Sequence, residues 1–178
     1  NLDHGRTLDY IKEAVKVGYD AIHFDGSKLP LEENIEISKK VVSLAKKRNI
    51  LVEGEVGFIQ GASEIRKITT EIVKEDLTSP EESFEFTQET EVDSLAINIG
   101  TFHGMDISGR DPHINLLRLK EIKNKIGDRV FLVLHGGSGT PEEDIKESIK
   151  SGIVKININT ELRVAYTNAL KEAFKISP

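Results

Sequence analysis

A parallel α/β fold closed as a barrel is what this sequence predicts, on three observations. Short apolar runs rich in β-branched residues recur along the chain. Amphipathic segments lie between them. A polar or ionisable residue stands at the C-terminal end of nearly every run. Strands buried on both faces read as continuous apolar runs, and strand–helix alternation builds a parallel sheet.

The runs are "AIHFD" (21–25), "ILVEGE" (50–55), "SLAINIG" (94–100), "VFLVLH" (130–135) and "IVKINI" (153–158). Gly or polar residues bound most of them, as expected of buried strands. The stretch 31–48 reads as a helix with Ile37, Val41 and Leu44 on one stripe and charges opposite. Ser79, Pro80 and Glu82 form a helix start with Pro in the first turn. Thr140, Pro141 and Glu143 repeat that pattern, with Glu143 placed for a capping box, and Thr160–Glu161 opens the last helix. The charge-rich stretches 39–49 and 122–129 read as solvated helix faces. No linker or low-complexity tract divides the chain.

The 178 residues suffice for one domain with a core, but five strands are too few for a closed eight-stranded barrel of about 250 residues. The chain opens on "NLDHG", a residue pair of catalytic type with no strand before it, so it reads as part of a larger barrel cut within a strand. Apolar residues make up 38%, charged residues 30%, and the net charge is −6 without a long basic run, which argues against nucleic acid and anionic membrane as partners. With no Cys, disulfides and thiolate metal sites are excluded. No apolar run reaches a membrane span and no signal peptide is visible, which makes the cytoplasm the expected location.

The polar strand ends decide between a barrel and an open sheet. They carry Asp25, Glu53 and Glu55, then His103 just past Gly100, His135 and Asn157, with Asp3 and His4 added if a strand runs into them. In a barrel these ends converge on one face, where active sites lie; in a flat sheet they are strung out too far to share one metal. Three histidines with an open position form the donor set of a catalytic zinc site. His23, inside a strand, and His113, in a polar loop, are left out of the set. Glu53 and Glu55 lie two apart on one strand and face the same side, where buried carboxylates need a cation or hydrogen-bond donors. "LHGGSGT" (134–140) is a Gly-rich turn after a strand, and "NINT" (157–160) leads from a strand into a helix; both suit an anion, and the pair matches the phosphate site of late barrel strands.

"NLDHG", "FDGS", "LPLEENIEISKKVV", "VEGEVG", "DSLAINIGTFHG", "LHGGSG" and "VKININTELR", in this order, resemble the class II, zinc-dependent ketose-bisphosphate aldolases of the fructose- and tagatose-bisphosphate type. The resemblance implies a (β/α)8 TIM barrel, of which residues 1–178 supply the end of strand three through the helix after strand eight. The earlier strands and the C-terminal helices are missing. It implies that His4, His103 and His135 bind zinc, that Asp25 and Glu55 hold a second metal in some members, and that Asp3 moves the proton of the substrate hydroxyl. Gly104, Gly136, Gly137, Ser138, Asn157, Ile158, Asn159 and Thr160 are implied to bind dihydroxyacetone phosphate. The implied partners are a phosphorylated ketose and further copies of the chain, as a dimer or tetramer. The implied reaction is aldol cleavage of a ketose 1,6-bisphosphate, with zinc dispersing the charge left on the ketone half.

Two departures stand out. After "VEGEVG" the family has Gly-Gly followed by an acid that shuttles the proton at the enediolate carbon. Here the text is "FIQGASE", with Ser63 in the acid's place and Glu64 one residue on. "MDISGRD" follows "HG" where a Tyr is expected. The altered loop keeps open a non-catalytic sensor or scaffold that binds metal and phosphosugar, and the His/carboxylate set alone would also suit a metal-dependent barrel hydrolase. Glu64 is taken as the second catalytic residue beside Asp3.

Overall fold

The structure, a computed structural model, describes residues 1–66, 77–106 and 113–176. Six parallel strands form the main sheet in the order β1-β2-β3-β5-β7-β8: β1 (Leu2–Gly5), β2 (Ala21–Phe24), β3 (Leu51–Val56), β5 (Ser94–Ile97), β7 (Phe131–Leu134) and β8 (Ile153–Ile156). Five of these strands contain the predicted runs, and β1 contains the Asp-His pair. No pairing joins β1 to β8 among the described residues, so the sheet is an open, parallel α/β arc and not the closed barrel.

Helices connect successive strands: α1 (Leu8–Val17), α2 (Leu31–Lys46), α3 (Pro80–Thr90), α4 (Leu116–Ile126) and α5 (Glu142–Lys150), with α6 (Thr160–Ile176) following β8. Helix α3 begins at the expected start, which forms a full capping box: Ser79 Oγ accepts from the Glu82 amide at 3.1 Å, and Glu82 Oε2 accepts from the Ser79 amide at 3.2 Å. The second capping box does not form. Thr140 closes a turn onto the Gly137 carbonyl, Pro141 becomes the residue before α5, and no side chain caps that helix. Helix α2 buries Asn34, Ile35, Ser38, Val41, Val42 and Ala45, so its inward stripe is centred on Val41 while Ile37 and Leu44 lie at the flank.

Strand alternation divides the apolar side chains into two sets. Ile22, Phe24, Val52, Val56, Leu95, Ile97, Leu132 and Leu134 pack with Ile11, Val41, Phe86, Leu119 and Ile122 from the helices in one continuous core. Ala96 and Val133 are fully buried yet stand outside that core, on the other face of the sheet. The register aligns His23 with Glu53, Glu53 with Ser94, Glu55 with Ala96, and Val133 with Lys155. This second face is therefore the inner one, and it carries the ionisable residues. Gly54 lies between Glu53 and Glu55 because a Cβ there would meet Phe86 of α3 at 2.5 Å.

Two further strands were not expected from the sequence. β4 (Gly61–Arg66) and β6 (His103–Asp106) pair in parallel with each other, apart from the main sheet. They follow β3 and β5 in the chain, and they bring Ser63 and His103 above the strand ends. Among the described residues no helix is long and apolar enough to cross a membrane.

Candidate active site

Asp3 and His4 are neighbours on β1, and a regular strand would send their side chains to opposite faces. The strand is not regular: its register with β2 shifts between Leu2 and Gly5, and His4 has φ of 55°. A bulge with a left-handed residue re-aims side chains at the cost of about 1–3 kcal/mol of backbone strain. Both side chains thereby reach one cavity of about 650 Å³.

His4 donates its Nδ1–H to the Asp25 carboxylate at Oδ2, 2.9 Å away, which leaves Nε2 as the nitrogen nearer Asp3, at 4.0 Å. Ser27 donates its hydroxyl to the other oxygen of Asp25 at 2.6 Å. His135 pairs through Nε2 with Glu53 Oε1 at 2.8 Å, and Lys155 Nζ closes on Glu53 Oε2 at 2.5 Å. Both carboxylates of β3 are buried; Glu53 has the donors its burial demands, whereas Glu55 Oε2 has imidazole nitrogens at 3.1 and 3.7 Å but no hydrogen bond. Lys155, the one lysine within the apolar strand runs, is thus the counter-ion of Glu53. Ring centroids of His4 and His103 lie 4.9 Å apart, those of His4 and His135 4.8 Å, and those of His103 and His135 6.1 Å.

His23 is at the centre of this cluster, which the sequence reading missed. It is fully buried, with its ring 4.7 Å from His4 and 4.8 Å from His135. Its Nδ1 accepts the backbone N–H of His4 at 3.2 Å, and its Nε2 is 3.1 Å from Glu55 Oε2 without the angles of a hydrogen bond. The signal was available: His23 precedes Asp25 by two residues, so it shares the inward face by the same alternation that pairs Glu53 with Glu55. His113 is exposed and bound to Asp144 at 3.1 Å, outside the site as expected.

Charges shape the cluster. The His23 imidazole and the charges of His4 and His135 outweigh burial and hold Asp3 at about 2. Burial opposes charge on Asp25, but His4 and Ser27 bind its carboxylate and lower its pKa. Burial likewise opposes charge on Glu53, and His135, His23 and Lys155 overcome it, bringing Glu53 to about 2. Burial disfavours a charged His23 too, yet Asp3, Glu55 and Glu53 raise it to about 9. His103 is depressed by burial and by His4. A neutral imidazole is the form that ligates a metal.

Two sets of donor atoms lie within 4.8 Å of one another: Asp3, His4, His23 and His135, and His4, Asp25 and Glu55. The second set unites the two residues expected at a second metal with one zinc candidate. His103 lines the same cavity but is in neither set. The loops complete the cavity. Gly104, Gly136, Ser138, Asn157, Ile158, Asn159 and Thr160 all line it. Gly137 does not; it lies between the two loops, donating its N–H to the Asn157 carbonyl at 3.0 Å. Gly136, at φ 67°, has no room for a side chain because the Phe102 carbonyl would lie 2.3 Å from its Cβ. Ser138 Oγ accepts from the amides of Asn159 and Glu161, both at 3.3 Å, and so occupies the N-terminal donors of α6. Asn157 Nδ2 donates to Asp3 Oδ1 at 3.2 Å and links the loop after β8 to β1 across the open sheet.

The altered loop is placed differently from its expected role. Ser63 lines the cavity and accepts from Asn159 Nδ2 at 2.9 Å, whereas Glu64 faces a neighbouring pocket between β4 and α6. Of "MDISGRD", residues 107–111 lie outside the described residues.

The profile of the class-II fructose-bisphosphate aldolases matches residues 1–178. The chain belongs to that family. It is 40% identical to a sulfofructosephosphate aldolase from Alkalicoccus urumqiensis across all 178 of its residues, and spans 60% of that relative's length. The YdjI aldolase of Escherichia coli K12 superposes with a TM-score of 0.75 at 35% identity, over 96% of this chain and 55% of the other. A provisionally assigned fructose-1,6-biphosphate aldolase from Coccidioides immitis gives 0.83 at 31% identity, over 99% of this chain and 61% of the other. The family's architecture thus accounts for the parallel arc.

Proposed function

We propose that the full-length protein is a metal-dependent aldolase that cleaves a phosphorylated ketose to dihydroxyacetone phosphate and an aldehyde, within a complete (β/α)8 barrel. The observation that carries this reading is the convergence, in one cavity, of three imidazoles, the carboxylate of Asp3 and two loops suited to a phosphate.

The donor set fits a divalent metal. Glu55 Oε2 is buried without a hydrogen bond, and His4 and His135 are each held at one ring nitrogen by a carboxylate, the arrangement that orients ligating histidines. We assign His4, His103 and His135 to zinc, and Asp25 and Glu55 to a second divalent position. When bound, the metal supplies Lewis-acid stabilisation of the negative charge left on the ketone half. Asp3 is ionised at neutral pH and takes the C4 hydroxyl proton. The backbone of Gly136 to Ser138 and of Asn157 to Thr160 anchors the phosphate, the Ser138 hydroxyl giving up the α6 donors it holds. Anchoring fixes the pose and contributes remote binding energy. Glu64, the acid considered for the C3 proton, faces the neighbouring pocket and would reach the cavity in place of Ser63 only if β4, whose register shifts between Gly61 and Ile65, slipped by one residue.

Two substrate forms fit this reading: a ketose 1,6-bisphosphate of the fructose or tagatose type, and, from the name of the 40% identical relative, a fructose phosphate carrying a sulfo group. The assembly is a homodimer or homotetramer, and the location cytoplasmic. The test is hydrogen exchange at C3 of dihydroxyacetone phosphate by the full-length protein, with and without chelator. Exchange that stops on chelation and returns with zinc is the expected result. Zinc and phosphosugar binding without exchange would replace the aldolase by a sensor or scaffold.

A further inference from the structure

His23 is the one imidazole of the cluster with no role in the reaction proposed above. It is nevertheless the most enclosed, and both its ring nitrogens face groups that the reaction uses. The His4 amide must donate, since a backbone N–H has no other capacity, so the nitrogen 3.2 Å away must accept. The single proton of a neutral ring then resides on Nε2, which faces Glu55 Oε2 at 3.1 Å.

We propose that His23 is the positioning residue of the site: Nδ1 holds the backbone of His4 in its left-handed bulge, and Nε2 packs 3.1 Å from Glu55 Oε2, so that one buried imidazole sets two separate metal-ligand candidates. The inference rests on the metal reading of His4 and Glu55. The strain at His4, with φ of 55°, explains why a partner is needed: without an acceptor the amide is buried unsatisfied, and the chain gains by relaxing to a regular strand. A regular strand turns either Asp3 or His4 out of the cavity. The approach to Glu55 compensates a carboxylate oxygen that otherwise has no hydrogen-bond partner.

Three variants of the full-length protein separate the two contacts. His23→Met keeps the bulk and removes both polar functions. His23→Asn places an amide oxygen where Nδ1 stands, and His23→Gln an amide nitrogen where Nε2 stands. Zinc affinity, measured by competition with a chromophoric chelator, is expected to fall about 10- to 100-fold in His23→Met, the range for residues that orient ligands, with partial recovery in each amide variant. Circular dichroism confirms that each variant is folded. Wild-type affinity in His23→Met would overturn the proposal. So would a loss that neither amide variant recovers, because neither nitrogen contact would then be what His23 supplies. Amide hydrogen exchange at His4 in the metal-free protein reads the first contact directly: exchange about 10-fold faster in His23→Met and slowed again in His23→Asn supports the assignment, and unchanged exchange overturns it. A wild type that bound no zinc would remove the metal reading, while the His4 amide would still decide what His23 does.

Discussion

The two walls of the cavity are built on different principles. On the β1–β3 side, side chains do the work: His4 is bound to Asp25, His23 lies 3.1 Å from Glu55, and Glu53 reaches across to His135, in one buried network of ionisable groups. On the β7–β8 side the backbone does it: Gly136 is pressed against Phe102, Gly137 against the Asn157 carbonyl, and Ser138 caps α6 from a different loop. The first wall tolerates little change of chemistry, because removing one partner leaves a buried charge unpaired. The second tolerates little change of shape, because there is no volume for an added methyl group. The cavity thus combines an electrostatic wall, which on the proposed reading holds metal and proton, with a steric wall, which on that reading admits an anion by close approach of N–H groups.

The largest expected effect is on the charged network, which reaches across the cavity from Glu53 to His135 at the end of β7. His135→Ala removes a zinc candidate and the partner of Glu53, and zinc affinity and C3 exchange should both fall by more than about 100-fold, beyond the range for outer residues. Isothermal titration and the exchange assay measure this, and retention of both would break the comparison. Gly136→Ala probes the other wall with one methyl group. A left-handed backbone and the 2.3 Å approach to Phe102 should cost about 2–4 kcal/mol in urea unfolding, with phosphate binding lost in whatever folds. Glu53→Gln keeps shape and removes charge. It should destabilise by about 2–3 kcal/mol, less than the ~3–5 for a fully buried pair because Lys155 can turn to water. A milder loss than that of Gly136→Ala would sharpen the contrast.

Acid should separate the walls without mutation. Glu53 is depressed from its usual 4.5 to about 2, so the unfolded chain binds its proton first as pH falls. The stability it contributes is present above about 4.5 and lost as pH drops toward about 2. Asp25, also depressed, adds in the same direction. Urea midpoints of the metal-free protein should fall across that window, and a flat profile would mean the charged network contributes nothing. The smallest effect is expected from Ser138→Ala: loss of two amide contacts at the start of α6, about 1 kcal/mol by thermal unfolding.

Much of this molecule is legible in one dimension. The five runs are strands because they are short, rich in β-branched apolar residues and mostly bounded by Gly or polar residues, a property of the runs alone. The inward set Glu53, Glu55, Asp25 and His135 follows from period-two alternation and from where each run ends. The capping box at Ser79 is equally local, since Ser79, Pro80 and Glu82 lie within four residues of one another. The Thr140 box fails because a turn to Gly137, dictated by how that loop docks on its neighbour, displaces Thr140 from the capping position. His23 was passed over although the alternation that found Asp25 applied to it as well.

Other features belong to the tertiary structure. Asp3 and His4 face one cavity only because β1 is bulged against β2, and a bulge is a property of two strands. The pairing of β4 with β6 joins segments with no strong periodicity, held by each other above the strand ends. The exchange of Ser63 for Glu64 at the cavity depends on the register of that pair. Sequence by itself determined the parallel strands, the helices between them and which face of each strand carries ionisable groups, because those follow from local volume, branching and periodicity. Only the tertiary structure decided which groups touch, because contact distances are set by the curvature and register of a sheet whose two ends meet through Asn157 and Asp3.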